Sequence, residues 1–502
     1  MEAKELTLGE IVSLSKRRGF VYQSSEIYGG LKGVYDLGPL GVELKRNIAA
    51  LWWKSMVYER EDIYGLDASI LMHPKVWEAS GHISHFSDPL VDCKSCKERF
   101  RADKAPKAAK GTEVVWKENG KEKRGIVGSQ EYLCPKCGSC NLSEERQFNL
   151  MFRTFIGSVD PIHTIASQLA GKSLSELEIK ALIEEQLKPY TVYLRPETAQ
   201  AMFVQFLNVV QSMSPKVPFG IAQQGRSFRN EVTTEKFIFR TCEFEQMEME
   251  YFVEPGTENK WYTYWIDERI SWWRKYANKP DNFRVREHTK SELAHYSSAC
   301  ADIEYYYPWG WDELEGIASR TDYDLKQHAA FSGAKLTYFD PQKINPETKK
   351  PGMHYVPYVI EPAAGLTRAV LAYLCDGYSF EKGVDAKGKE KTRTVLKLHP
   401  ALAPYKTAVF PLVKRDNLPQ LARDIIQQFL KAGIAARYDE QHSIGKRYSR
   451  HDEIGTPFCI TVDHQSLEDN TVTVRDRDTT KQERVKIDKL VAFIKERLGD
   501  IN

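Results

Sequence analysis

Long apolar runs are missing from this 502-residue chain, and none approaches the roughly 18 residues that cross a bilayer. This argues against a membrane-spanning helix and a membrane partner. An excess of one charge is missing too. Lys and Arg number 71 against 69 Asp and Glu, a net +2 with histidine neutral. A wholly basic nucleic-acid glue is thereby excluded, while a local RNA-binding face is not. The first twenty residues carry charges where a signal peptide needs its apolar stretch, so the expectation is a soluble cytoplasmic protein. No P-loop, GxSxG elbow or paired-histidine metal motif occurs. There is no internal repeat or low-complexity tract. With 42% hydrophobic, 28% charged and 11% aromatic residues, a disordered, collagen-like or coiled-coil chain is ruled out.

What is present fits about three domains at this length. Nine cysteines are few for a disulfide scaffold. Cys242, Cys300, Cys375 and Cys459 stand singly and read as small buried hydrophobes in a reducing compartment. The other five cluster: Cys93 and Cys96, Cys134 and Cys137 form two Cys-x-x-Cys knuckles, with Cys140 following. Two knuckles can close a tetrahedral thiolate site for structural Zn²⁺. The alternatives are a ribbon held by packing alone, or Cys140 replacing one of the four. The charged, Gly-containing stretch 110–128 reads as a flexible hairpin within a Cys-rich insert over 90–146.

Hydrophobic periodicity divides the rest. Residues 5–18 read as a short helix. Leu44, Ile48, Leu51, Trp52 and Met56 mark one face of a helix preceded by Pro39 and Gly41, either a core helix or one at a subunit interface. Residues 172–188 read as a helix opened by a Ser173/Glu176 capping box, and 261–276 as a Trp-rich helix. Segments 218–231 and 239–252 read as two strands joined by a polar turn. Period two puts Arg229 with Glu231 on one face, and Arg240, Gln246, Glu248 and Glu250 on the corresponding face of the second strand. Met247, Met249 and Tyr251 then share the apolar face. Residues 341–352 read as a loop, 354–361 as a strand, 365–374 as a helix, and 382–393 as an interdomain link. From 404 onward, strands at 407–412, 434–438, 457–463 and 471–475 alternate with helices at 420–431 and 488–497, which suggests a compact α/β domain.

The chemistry concentrates where arginines and carboxylates share adjacent antiparallel strands. Arginine forks match phosphate oxygens. Carboxylates beside them can hold Mg²⁺ between phosphates or bind an amine. Such a site suits a nucleoside triphosphate together with a cationic group.

Three segments resemble the signature motifs of class II aminoacyl-tRNA synthetases: Gly38-Pro39-Leu40-Gly41 and the helix after it; Phe228-Arg229-Asn230-Glu231 with Phe239 to Glu248; and Glu361-Pro362-Ala363-Ala364-Gly365-Leu366-Thr367-Arg368. Leu194-Arg195-Pro196-Glu197-Thr198-Ala199-Gln200 and the run Trp311 to Tyr323 are similar to the dimeric glycyl-tRNA synthetases. The resemblance runs from about residue 8 to the C-terminus. It implies an α+β fold: an antiparallel catalytic sheet with flanking helices over 1–89 and 147–400, the Cys-rich insert, and a C-terminal α/β anticodon-binding domain over 404–502. It also implies a homodimer, ATP with Mg²⁺, glycine and tRNA(Gly).

The resemblance further implies residue roles. Arg229, Glu231 and Arg368 would be the catalytic groups. ATP would be contacted by these and by Asn230, Phe239, Arg240, Thr241, Cys242, Glu243, Phe244, Glu313, Leu314, Gly365, Leu366 and Thr367. Glycine would be met by Arg101, Glu197, Phe244, Glu245, Gln246, Met247, Glu248, Arg320, Glu361, Ala363 and Gly365. Glu313 and Glu361 would serve Mg²⁺. Many members carry Ser at the position of Ala363, and its hydroxyl is worth about 1 kcal/mol. In the last domain Lys446, Arg447, Arg450 and Arg475 are candidate tRNA contacts. Neither activation nor transfer needs a protein nucleophile, so positioning and charge stabilisation suffice.

Overall fold

The computed structural model describes residues 6–118, 120–158, 160–294, 297–384 and 390–499. Helix α1 (Leu8–Arg18) opens with a reciprocal cap: the Thr7 hydroxyl accepts from the Glu10 N–H, and the Glu10 carboxylate accepts from Thr7. Helix α2 (Pro39–Trp53) begins on Gly38, with Pro39 in the first turn where its missing N–H costs nothing. A Cβ at Gly41 would lie 1.9 Å from the Phe20 carbonyl oxygen, so the approach of α2 to the preceding chain requires glycine. The α2 stripe Leu44, Ile48, Leu51, Trp52 and Met56 is consumed by the chain's own core; of its two readings, core is the one observed.

The larger part of the chain is built on a seven-stranded sheet. Its members are β1 (Ile63–Gly65), β2 (Phe219–Phe228), β3 (Glu243–Val253), β4 (Phe283–Glu287), β5 (Ala299–Tyr307), β6 (Gly310–Thr321) and β7 (Tyr358–Gly365). The spatial order is β4-β5-β6-β7-β3-β2-β1. All pairs are antiparallel except β1 with β2. Helix α2, the Trp-rich α3 (Glu258–Lys275) and α4 (Leu366–Gly377) cover one face, packing on Met247, Met249 and Tyr251 of β3. Phe219 and Phe252 pack with Phe203 and Phe206 in a second cluster on the sheet. The polar residues Gln246 and Glu248 line an open cavity.

Several local expectations change. Strand β2 ends at Phe228 and β3 begins at Glu243, so Arg229, Glu231 and Arg240 lie on the connecting loop, not on alternating strand faces. The helix near 172–188 runs Glu176–Leu187 and is capped by Ser175 with Glu178, not Ser173 with Glu176. The helix starts two residues later, and the box moves with its N-terminus. Half of the supposed loop 341–352 lies in the paired strands of a hairpin, Tyr338–Ile344 and Pro351–Tyr355. The supposed link 382–393 falls in another hairpin, Tyr378–Val384 with Glu390–Leu396, apart from residues 385–389, which lie outside the described residues. In each case polar composition conceals backbone pairing between two separated stretches.

The last domain has its own sheet of β8 (Thr407–Pro411), β9 (Ala436–Tyr438), β10 (Phe458–Val462), β11 (Thr471–Asp476) and β12 (Gln482–Lys486), ordered β9-β8-β10-β11-β12. Helices α5 (Leu418–Lys431), α6 (Ile444–Glu453) and α7 (Leu490–Leu498) accompany it. Leu418, Ile425 and Phe429 of α5 and Leu490 and Ile494 of α7 fill a core separate from that of the catalytic sheet. Helix α6 and strand β12 are too polar to show in the hydrophobic pattern; α6 buries Arg447, His451 and Asp452. Among the described residues no helix is long and apolar enough to cross a membrane.

Candidate active site

Sheet register assembles the site. Across four strands run Asp302, Gly316, Ala363 and Glu248, each opposite the next, and Gln223 follows on β2. One row away Cys300 faces Ala318, and Ala318 faces Glu361. Gly316, Ala318 and Ala363 are small, so the sheet is hollowed between the acidic groups. The cavity measures about 340 Å³, within the range of small-molecule sites.

One end of the cavity is acidic. Glu248 is buried; the Thr198 N–H donates to its Oε2 at 3.1 Å and the Thr198 hydroxyl donates to the same oxygen. Glu197 accepts from Gln200 at 3.0 Å and lies 3.4 Å from His82 Nε2. Arg320 grips Asp324 with two bonds, 2.8 and 2.9 Å, and donates to Glu361. Glu250 is fully buried, and neither carboxylate oxygen has a hydrogen-bond partner among the described residues.

This crowding splits the carboxyl groups. Burial, with Glu361 and Glu197 nearby, pushes Glu248 up to about 8. Burial pushes Glu361 up to about 7 against the pull of Arg320. Burial together with Glu361 raises Glu250 well above the ordinary carboxyl range. Burial opposes ionisation of Glu197 as well, yet His82 and Arg320 hold it far below that range. The pocket therefore carries fewer charges than carboxyl groups, and an incoming cation would draw out protons.

The other end is cationic and aromatic. Arg229 donates from Nε to the Pro196 carbonyl at 3.1 Å, with its guanidinium 5.2 Å from the Phe244 ring and 5.4 Å from that of Phe86. Its terminal nitrogens have no protein partner among the described residues. Arg368 lies 4.4 Å over the Phe239 ring and 3.1 Å from a Glu313 oxygen. That guanidinium holds Glu313 below the usual carboxyl range despite burial. Arg240 donates to Glu231 at 3.3 Å, and the Thr367 hydroxyl accepts from the Glu245 N–H at 3.0 Å.

The cavity brings together Glu197, Arg229, Glu231, Phe239, Arg240, Thr241, Phe244, Glu245, Gln246, Glu248, Glu313, Glu361, Ala363, Gly365, Thr367 and Arg368. Arg320 stands behind Glu361. Arg101 is held outside by Asp88 at 2.7 Å and by Asp103. Asn230 and Cys242 contribute backbone to the loop closure, and Glu243 pairs outward with Arg226. Met247, Leu314 and Leu366 are buried in the apolar core instead, Met247 because strand alternation turns it away from Gln246 and Glu248. Glu313 and Glu361 are also separated. Glu361 pairs with Ala318, five residues along β6 from Glu313, or about 17 Å at 3.4 Å per residue, so one ion cannot take both. His82, Phe86, Thr198 and Asp324 belong to the site but not to the expected set. Only Thr198 had a local signal, inside the Arg-Pro-Glu-Thr segment.

In the last domain two of the four candidate tRNA contacts, Arg447 and Arg475, are buried, and a third, Arg450, is half-buried and paired. Arg447 is buried and donates to the Pro411 carbonyl at 2.5 Å. Arg475 holds Asp452 with bonds of 2.8 and 3.1 Å, and Arg450 holds Asp439 at 2.5 Å. Lys446 alone remains exposed.

The four paired cysteines converge. Sγ–Sγ distances are 3.6 Å for Cys93–Cys137 and for Cys96–Cys134, and all four sulfurs lie within 4.8 Å of one another. A tetrahedron with Zn–S bonds of about 2.3 Å has edges of about 3.8 Å, so the donor set fits zinc. Cys140 is not part of this group.

Residues 406–497 match the family model described as an anticodon binding domain. Over 99% of its length the chain is 47% identical to a glycine–tRNA ligase of Treponema denticola, covering 98% of that protein. It is 48% identical over 98% of its length to the Geobacillus kaustophilus glycine–tRNA ligase, covering 99% of it, and 46% identical over 99% to that of Thermobifida fusca, covering all of it. The chain belongs to the glycine–tRNA ligase family. It is an aminoacyl-tRNA synthetase, and its antiparallel catalytic sheet with a separate anticodon-binding domain is the α+β architecture anticipated for a glycine–tRNA ligase.

Proposed function

We propose that the cavity activates glycine with ATP and that the glycyl group then passes to the 3′ end of tRNA(Gly), in a cytoplasmic homodimer. The observation that carries this is the division of one cavity into an acidic end and an arginine–aromatic end. Glycine has no side chain to grip, so its ammonium must supply much of the recognition. Glu197, Glu248 and Glu361 surround the place for it, and Arg320 with Thr198 fixes their orientation. The triphosphate lies toward Arg229, Arg240 and Arg368, with adenine against Phe239. Mg²⁺ bound at Glu313 would neutralise phosphate charge.

Activation is attack of the glycine carboxylate on the α-phosphorus with loss of pyrophosphate. Arg229 stabilises charge gathering on the phosphoryl oxygens. The tRNA 3′-hydroxyl then attacks the acyl carbon and releases AMP. Zinc at Cys93, Cys96, Cys134 and Cys137 would hold the insert's shape.

Amino-acid-dependent ATP–pyrophosphate exchange across the protein amino acids tests the proposal. Exchange with glycine alone is expected; exchange with a different amino acid would overturn the carboxylate pocket.

A pH dependence follows. Burial, with neighbouring carboxylates, pushes Glu248 up to about 8 and Glu361 up to about 7, and the ammonium needs them ionised. These are raised values, so the binding-competent form is populated only as pH rises through them. Glycine kcat/KM should climb between pH 6 and 8.5, by about tenfold per unit where one proton must leave. A flat profile over that interval would contradict the pocket assignment.

Ala363→Ser, facing Gly316 and Glu248, should lower the glycine KM about fivefold if its hydroxyl is used, the equivalent of about 1 kcal/mol. An unchanged KM would mean that the Thr198 contact already satisfies Glu248.

A further inference from the structure

At the end of the cavity away from Glu248, a nitrogen of His288, the Cys300 sulfur and a carboxylate oxygen of Asp302 lie within 4.8 Å of one another. The backbone fixes them. Cys300 and Asp302 are two apart on β5 and share a face. His288 follows β4 directly, and its N–H donates to the Cys300 carbonyl at 2.9 Å. All three line the cavity.

The imidazole is linked to the carboxylate, His288 Nε2 to Asp302 Oδ2 at 2.8 Å. With the proton on Nδ1, Nε2 and Oδ2 both turn lone pairs toward the point they share with the Cys300 sulfur, and their 2.8 Å separation is near the edge of a tetrahedral ligand set. Arg286 also approaches Asp302 Oδ2, at 3.1 Å, and His288 at 3.3 Å. It has alternative partners in Glu292 at 3.0 Å and Glu304 at 3.1 Å, so giving up that contact leaves it paired. Nitrogen, sulfur and oxygen donors together suit a borderline-soft divalent ion of the zinc class. The adjoining Ala318 and Gly316 leave a coordination position open toward the cavity.

We propose that His288, Cys300 and Asp302 form an inhibitory site for a zinc-class cation. Binding displaces the Cys300 thiol proton and forms the metal–sulfur bond without any redox change. The bound ion adds two positive charges to the wall of the cavity that Arg229 and Arg368 also line, and so alters the charge balance that substrate binding meets. The inhibitory consequence rests on the cavity being catalytic; the binding itself does not.

The test keeps the two separate. Full-length protein, its cysteine insert first loaded with a single equivalent of zinc and then freed of excess metal, is titrated with Co²⁺ and followed by thiolate-to-cobalt charge-transfer absorption. Zinc outranks cobalt in affinity, so the insert stays loaded. One further equivalent of Co²⁺ is expected to bind with a thiolate band. The band should be lost in Cys300→Ser, and affinity should fall at least about tenfold in His288→Gln, with folding of each variant checked by thermal melting. Glycine-dependent exchange should fall with the same midpoint as the band in the wild type, and keep its own metal-free rate in Cys300→Ser. No band in the wild type, or the same band in Cys300→Ser, overturns the site. A band without inhibition keeps the metal site and overturns its inhibitory role. A band in a protein that exchanges no amino acid keeps the site and overturns the proposed function instead.

Discussion

Arg229→Ala should lower glycine-dependent pyrophosphate exchange by about a thousandfold, the upper range for losing a preorganised group that meets transition-state charge. Three contacts hold this arginine: the Pro196 carbonyl and the rings of Phe86 and Phe244. They use Nε and ring contacts to the guanidinium and leave the terminal nitrogens for a phosphate. The group is thus oriented before substrate arrives, and its side-chain entropy is already spent. Arg229→Lys should fall between, because an ammonium cannot reproduce the two-pronged geometry. Thermal stability should change little, since the guanidinium closes no buried ion pair. Exchange within tenfold of wild type in Arg229→Ala would show that the phosphate is held elsewhere.

Asp452→Ala should cost about 3–5 kcal/mol, the usual cost of stripping the partner from a buried ion pair. Asp452 is 1% exposed and accepts from Arg475 at 2.8 and 3.1 Å and from Arg393 at 3.0 Å. Its removal strips the buried Arg475 of its carboxylate, while Arg393 keeps Glu381. A domain of this size has about 5–15 kcal/mol in all, so its melting temperature should drop by more than about 12 °C. Arg393 lies on the hairpin after the catalytic helix α4, so the damage falls at the junction of the two cores. Aminoacylation should decline further than pyrophosphate exchange, which needs only the catalytic cavity. Asp452→Asn keeps an acceptor oxygen and should lose less. A melting shift under about 2 °C in Asp452→Ala would mean that the arginines find other partners.

The corrections share a pattern. Arg447, Arg450 and Arg475 look like RNA contacts in a one-dimensional string, because a charge on a short polar element usually faces water. Asp439, Asp452 and the Pro411 carbonyl, which satisfy them, come from elements far along the chain. The hairpins over 338–355 and 378–396 escaped for a related reason. Polar strands carry no alternation when neither face is strongly apolar, and their pairing is visible only once both are in place.

The amino-acid sequence by itself determined the features with a short range. The α2 stripe, the alternation that puts Met247, Met249 and Tyr251 against the helices, the two Cys-x-x-Cys knuckles and the segments shared with the synthetases all act over a few residues. Backbone geometry repeats on that scale. Tertiary structure alone decided how those pieces meet. Register placed Gly316 and Ala363 between Asp302 and Glu248, separated Glu313 from Glu361, and brought His82, Phe86 and Thr198 to residues far away in the chain. It also buried Glu250 with no hydrogen-bond partner among the described residues and raised Glu248 toward neutrality. These are consequences of burial and of charges contributed by several strands, and an ionisable group's behaviour depends on neighbours that local sequence does not name.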